Sequence, residues 1–264
     1  MDLGLTGKRA VVTGGSRGIG HAVAAQLARE GCDLALVSRD RASLEAAAAA
    51  LAAATGRRVA AVPADTADDE SVAAMVATVT DRLGGVDILV NAAARSAGAS
   101  GGARTVPVSK LRDEIDVKTL GYLRCCQQVA PQMIERGWGR IINIGGLAAR
   151  QTGSVSAAMR NVAIAALTKN LADELGPHGI NVTAVHPGTT RTPRIATQMT
   201  ERAAARGIGV GEIAAEMGSA YAIGRIVEPA EIGYVVAFLA SPLSVAISGD
   251  AIACGGGRTG SIYY

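Results

Sequence analysis

Thr13-Gly14-Gly15-Ser16-Arg17-Gly18-Ile19-Gly20 follows the apolar run Ala10-Val11-Val12 and opens a helical pattern. A strand that ends in such a turn offers free backbone N–H groups and the positive end of a helix to phosphates. Gly14 permits a tight exit from the strand, Gly18 lets backbone approach a pyrophosphate, and Gly20 allows close packing of helix on sheet. The run therefore reads as a dinucleotide-binding turn, with a plain strand–helix connection as the alternative. Ser38 and Arg39 follow the next apolar run. An acid there would take the adenosine ribose hydroxyls and repel a 2′-phosphate. A hydroxyl and a guanidinium, together with Arg17, suit a phosphate dianion instead. NADP(H) is expected over NAD(H), unless Arg39 is only a solvated charge at a helix start. Lysine is scarce: Lys8, Lys110, Lys118 and Lys169 are the only four. In a half-buried cleft, the Lys118 amine would lose basicity and could serve as acid, base or imine-forming group. On a helix surface it would only reach solvent.

These residues need a scaffold, and the chain alternates short β-rich runs with longer helical ones. Strands are expected at Arg9–Val12, Asp33–Val37, Arg58–Val62, Asp87–Asn91, Arg140–Ile144, Asn181–Val185 and Ala251–Ala253. Helices are expected at about Ile19–Glu30, Arg41–Ala54, Asp68–Leu83, Ser109–Arg136, Val155–Leu175 and Pro229–Leu239. Near-continuous apolar strands in βαβ order imply a parallel sheet buried on both faces. Right-handed crossovers make it doubly wound, so the expected fold is a single Rossmann domain over residues 1–264. Its sheet should hold about seven strands, with helices on both faces and ligands at the strands' carboxyl ends. Ala93–Arg104 reads as a small-residue loop. Residues 193–224, the most irregular long segment, read as a substrate lid.

A length of 264 suits one large α/β domain, and 49% hydrophobic residues with 3% aromatics mean a core filled by aliphatic side chains. The net charge of +3 and the lack of a basic stripe with interleaved aromatics disfavour nucleic acid. Cys32, Cys125, Cys126 and Cys254 have spacings that suit neither zinc nor a disulfide framework, so buried thiols and no metal are expected. Neither a signal pattern nor a membrane-spanning run is found, and a cytoplasmic protein with a small-molecule substrate is the expectation.

Further motifs occur in a telling order. Asp65 follows the third strand, Asn91-Ala92-Ala93-Ala94 the fourth, and Pro187-Gly188-Thr189-Thr190-Arg191-Thr192 the sixth. Gly224-Arg225-Ile226-Val227-Glu228-Pro229 and Ser248-Gly249 come later. From about Gly7 to Gly257 the chain resembles the short-chain dehydrogenase/reductase (SDR) family. The resemblance implies that Asp65 contacts adenine and that Asn91 belongs to a variant of the family's Asn-Asn-Ala-Gly stretch. It also implies that Pro187, Gly188, Thr190 and Thr192 hold the nicotinamide carboxamide. A homodimer or homotetramer built on helices Ser109–Arg136 and Val155–Leu175 is implied too.

The family's chemistry uses Ser, Tyr, Lys and Asn side chains, because hydride addition to a carbonyl develops negative charge on oxygen. This chain has no Tyr-x-x-x-Lys. By register with Ala165–Ala172, Ala157 stands at the Tyr position and Asn161 at the Lys position, on one helix face. Gly146, or Gly145, takes the Ser position, and Lys118 takes the Asn position. The resemblance is thus to a divergent member without the Ser-Tyr-Lys set, with Lys118 and Asn161 as candidate replacements. Arg150 and Arg160 could clamp a substrate anion, although exposed charges are the simpler expectation. Ser154 and Ser156 could supply hydroxyls or cap the next helix. His186 is expected as a packed neutral imidazole, Arg191 as a residue facing solvent or the lid, and Cys125 and Cys126 as core. Three functions remain in play. The first is an NADP(H)-dependent oxidoreductase with an atypical acid–base set, acting on a pre-activated substrate such as an iminium or conjugated system. The second is a non-catalytic NADP(H)-binding sensor or inactive subunit. The third is a lyase or isomerase using Lys118. The retained nicotinamide motif favours the first over the third, whereas the missing Ser-Tyr-Lys set favours the second or third over the first; the family resemblance decides for the first.

Overall fold

The computed structural model describes residues 1–94 and 102–260. Seven parallel strands form one sheet in the order β3-β2-β1-β4-β5-β6-β7. They are β1 (Arg9–Thr13), β2 (Asp33–Ser38), β3 (Val59–Pro63), β4 (Ile88–Asn91), β5 (Gly139–Ile144), β6 (Ile180–Pro187) and β7 (Ala251–Cys254). The strand period of two explains why these runs are apolar throughout. Ala10 and Val12 face helices α1 (Gly18–Arg29), α2 (Arg41–Thr55) and α9 (Pro229–Ala240). Val11, between them, faces α3 (Asp69–Leu83), α5 (Gly121–Arg136) and α6 (Val155–Leu175). Every expected strand and the doubly wound sheet are present, with bounds shifted by one or two residues.

The chain winds outward from β1 to β3, then restarts at β4 on the other side of β1. The carboxyl ends of β1 and β4 therefore flank a crevice, the place where such sheets bind ligands. Thr13 ties the two ends together: its Oγ1 accepts from the N–H groups of Ala92 (3.0 Å) and Ala93 (3.2 Å).

Two expectations are corrected here. The helix expected over Ser109–Arg136 is three pieces: α4 (Val108–Ile115), a π-helical turn at Asp116–Leu120, and α5. The wide turn leads into Gly121, which presses on the backbone of Thr66; a Cβ there would lie 2.8 Å from the Thr66 carbonyl oxygen. Residues 193–224 are not irregular. They form α7 (Pro193–Arg206) and α8 (Val210–Gly218), which with Tyr221 and Ile226 bury a small core of their own around Met199, Ala203 and Ile213. Period-3.6 apolar positions were present but diluted by Thr, Arg and Gly. The expected loop Ala93–Arg104 lies partly outside the described residues. Among the described residues, no helix is long and apolar enough to cross a membrane.

Gly20 packs more tightly than the helix-on-sheet reading required. A Cβ there would sit 2.3 Å from the carbonyl oxygen of Gly14, so α1 leans on the turn itself. Both partners are backbone and neither can step aside. Gly20→Ala is expected to cost about 2 kcal/mol, as overpacking does, and to lower Tm by roughly 4–8 °C in a thermal melt.

Candidate active site

A cavity of about 790 Å³ opens at the carboxyl ends of β1, β2 and β4. Gly14, Ser16, Arg17, Ser38, Arg39 and Asp65 are among its lining residues. Gly14 (φ +68°) and Gly18 (φ +61°) hold the left-handed backbone that side-chain-bearing residues avoid. A Cβ on Gly14 would lie 2.9 Å from the Ala92 carbonyl oxygen, so the turn is shaped for glycine. Helix α1 starts at Gly18 with no side-chain cap and no acid in its first turn. Its first N–H groups and positive dipole end thus have no anion supplied by the chain's own capping. A dinucleotide phosphate fits that cradle. Arg39 and Asp65 approach to only 3.9 Å and both are exposed, a loose pair that costs little to open. Asp65 also accepts from the Ala67 N–H (3.0 Å).

The other cofactor-side candidates divide. Thr192 approaches the glycine turn, its Cγ2 lying 3.5 Å from where a Gly18 Cβ would be. Its hydroxyl caps α7 by accepting from the Ile195 N–H. Thr190 donates to the Gly188 carbonyl (3.1 Å), and Pro187 ends β6. Asn91 is fully enclosed: its Nδ2 donates to Asn143 Oδ1 (2.9 Å), and Asn143 Nδ2 donates to Thr168 Oγ1 (3.0 Å). A ligand contact from the Asn91 side chain would require it to leave that ladder.

Lys118 projects inward from the π turn beside Val117, a cavity-lining residue, and is only 6% exposed. Its Nζ donates to the Gly145 carbonyl and to Asn161 Oδ1, both at 2.9 Å. The structure thus joins the two candidate replacements directly. Neither acceptor carries a charge. Burial pulls the Lys118 amine down to about 7, helped by the Arg160 guanidinium and opposed by Glu114.

Gly145 and Gly146 are closed in. A Cβ on Gly145 would meet His186 Nδ1 at 2.2 Å, and one on Gly146 would meet Asn161 Nδ2 at 2.9 Å. A serine at either position would therefore displace a neighbour. His186 Nδ1 accepts from the Gly146 N–H (3.2 Å), which leaves the ring proton on Nε2. Burial, then Arg150 and Lys118, push this imidazole down to about 4, the packed neutral ring that was expected. Tyr122 is also buried and donates to the Ile144 carbonyl (3.1 Å), with burial raising its phenol further. The Tyr221 hydroxyl donates to Thr189 Oγ1 (2.7 Å) and accepts from the Thr189 N–H (3.1 Å).

Arg160 and Arg150 are not the exposed charges expected. Arg160 Nη1 donates to the buried Glu114 Oε2 (2.5 Å), which also accepts from Ser156 Oγ. Arg150 donates to the Ala251 carbonyl (3.0 Å). Ser154 caps α6, accepting from the Ala157 N–H. Arg191 is paired with Glu228 (2.8 Å). Cys32, Cys125 and Cys126 are buried free thiols, while Cys254 is partly exposed. Sequence reasoning missed Glu114. The signal was available: Ser156 and Arg160 are one i,i+4 stripe on α6, next to the Ala157–Asn161 stripe.

Residues 14–259 match the family model described as enoyl-(acyl carrier protein) reductase. The short-chain reductase protein NovJ of Streptomyces niveus is 37% identical over 250 residues, 94% of this chain and 93% of that protein. The L-sorbose reductase of Gluconobacter frateurii, solved with NADPH and L-sorbose, superposes with a TM-score of 0.94 at 30% identity, covering 99% of this chain and 100% of that one. An NAD⁺-bound xylitol dehydrogenase superposes at 0.88 with 28% identity, covering 96% of this chain and 100% of that one. The fold alone therefore does not choose between the two cofactors. With the sheet order, the glycine turn and these relatives together, the chain belongs to the short-chain dehydrogenase/reductase family.

Proposed function

We propose that the protein is an NADP(H)-dependent oxidoreductase that transfers hydride to or from a small organic substrate through an atypical acid–base site. The observation that carries this reading is the buried Lys118–Asn161 hydrogen bond, one residue along the chain from Val117 in the wall of the anion-ready cavity. The backbone of Gly14 through Gly20, with Ser16, Arg17 and Ile19, would hold the pyrophosphate. Ser38 and Arg39 would hold the 2′-phosphate, Asp65 the adenine, and Pro187 through Thr192 the carboxamide. The reductase solved with NADPH supports the phosphorylated cofactor. The bound nicotinamide supplies the hydride. By register Asn161 stands at the family's Lys position and Lys118 at its Asn position, so the two residue types are exchanged. Ala157 and Gly146 replace the phenol and hydroxyl of the family pattern. Lys118 holds the proton that a reduced substrate takes up, and Asn161 fixes the amine's direction. Without a phenol, a substrate that needs little protonation, such as an iminium or conjugated system, suits the site best. We assign α7–α8 as the substrate lid of a single Rossmann domain. The exposed Met159 and Val162 on α6, with Leu120 and Ile134, support a homodimer or homotetramer.

Isothermal titration of the purified protein is expected to give NADPH at least ~10-fold tighter binding than NADH, about 1.4 kcal/mol. Equal affinities would remove the 2′-phosphate assignment. Binding without turnover across a broad substrate screen would favour the sensor or inactive-subunit reading. Product without NADPH consumption would favour a lyase or isomerase.

A further inference from the structure

Three ionisable side chains from different elements meet inside the protein: Glu114 from α4, Lys118 from the π turn and Arg160 from α6. Glu114 is 3% exposed and Lys118 6%. The cluster is cross-linked twice. Glu114 takes Arg160 and Ser156 on one side, and Lys118 takes Asn161, the residue after Arg160, on the other. Lys118 makes no ion pair within this set. Two of its N–H groups point at the Gly145 and Asn161 oxygens, so its remaining tetrahedral position carries either a third N–H or a lone pair.

We propose that Glu114 and Arg160 are opposed positioning residues for Lys118, Glu114 favouring its ammonium and Arg160 its neutral amine, so that their balance adjusts how readily Lys118 offers a proton or a lone pair. The inference rests on the reading of Lys118 as the acid–base group. Two other ionisable groups near the amine stay uncharged at neutral pH. His186, from β6, is held neutral, as is Tyr122 from α5, while Arg150 faces the imidazole. Among the described residues, Glu114 and Arg160 press on Lys118 with opposite sign. A buried pair of this kind is weak evidence for stability, because desolvation offsets much of its attraction. Control of a neighbouring amine gives it a role that a stability account does not.

Four lysines make the test direct. Protein grown on [ε-¹³C]lysine gives four methylene signals, that of Lys118 identified by its loss in Lys118→Met. Their pH titration needs neither substrate nor cofactor. In the wild type the Lys118 signal is expected to move at about 7. Arg160→Gln should strengthen proton binding at Lys118 about 10-fold, and Glu114→Gln should weaken it about 10-fold. Arg160→Lys should restore the wild-type midpoint. The double variant Glu114→Gln/Arg160→Gln removes both opposed charges together and should also titrate near the wild type, which keeps the test when a single variant does not fold. Shifts of the same sign, no shift, or a double variant that titrates like a surface lysine would overturn the proposal. A wild-type Lys118 that already titrates near about 10.4 would instead remove the acid–base reading on which it rests.

Discussion

Arg39→Asp raises the NADPH dissociation constant about 100-fold and leaves NADH binding within a few-fold. A charge-assisted hydrogen bond to phosphate contributes about 1.5–3 kcal/mol. The substitution removes that bond and places a carboxylate beside the dianion, so about 2.7 kcal/mol is a conservative total. Arg39 is available for this task because its approach to Asp65 is long and exposed. Exposure also means screening: the penalty should shrink as salt is raised from low to physiological concentration. Fluorescence titration of both cofactors at two ionic strengths checks it. Equal weakening of NADPH and NADH would show that Arg39 supports the cavity wall and does not read the phosphate.

Lys118→Ala lowers turnover about 10²–10⁴-fold, the usual contribution of one acid–base group, with NADPH affinity changed only a few-fold. The pH profile carries the sign. An amine titrating at about 7 is a proton donor below that value and an acceptor above it. Reduction should therefore slow as pH rises through 7, and oxidation should accelerate. Stability gives an independent reading. The folded-state amine lies below its unfolded value of 10.5, so the unfolded chain binds more protons between about 7 and 10.5. Wild-type stability should rise with pH across that window, and Lys118→Met should lack this component. Tyr221→Phe is the useful comparison, because the hydroxyl it removes is committed to Thr189. If Tyr221→Phe abolished turnover and Lys118→Ala did not, the phenol and not the amine would be the proton carrier.

Local pattern sufficed for much of the framework. Runs such as Ala10-Val11-Val12 are apolar at every position because both sheet faces are covered, and that pattern is visible without coordinates. The glycine turn was equally readable, since Gly14 and Gly18 are demanded by backbone conformation. The π turn at Asp116–Leu120 was not, because helical periodicity does not distinguish a widened turn from a regular one. Glu114 and Lys118, four residues apart, are both buried, so the burial of Lys118 could be posed as a question but not answered. Glu114 escaped notice because a carboxylate in an exposed-looking stretch, Lys110 to Asp116, needs its partners Ser156 and Arg160 before its burial makes sense. The α7–α8 unit was taken for irregular chain because its small core depends on Tyr221 and Ile226, which lie outside both helices.

Deuteride tracing bears most directly on the reading of this protein as a working oxidoreductase. NADPH labelled at the transferable C4 position is incubated with a panel of carbonyl, iminium and conjugated substrates, and products are read by mass spectrometry. Wild-type protein is expected to move one deuterium into a product carbon, and Lys118→Ala to bind the cofactor yet transfer about 10²–10⁴-fold less. Tight NADPH binding with no deuterium in any product, or transfer undiminished in Lys118→Ala, would contradict it.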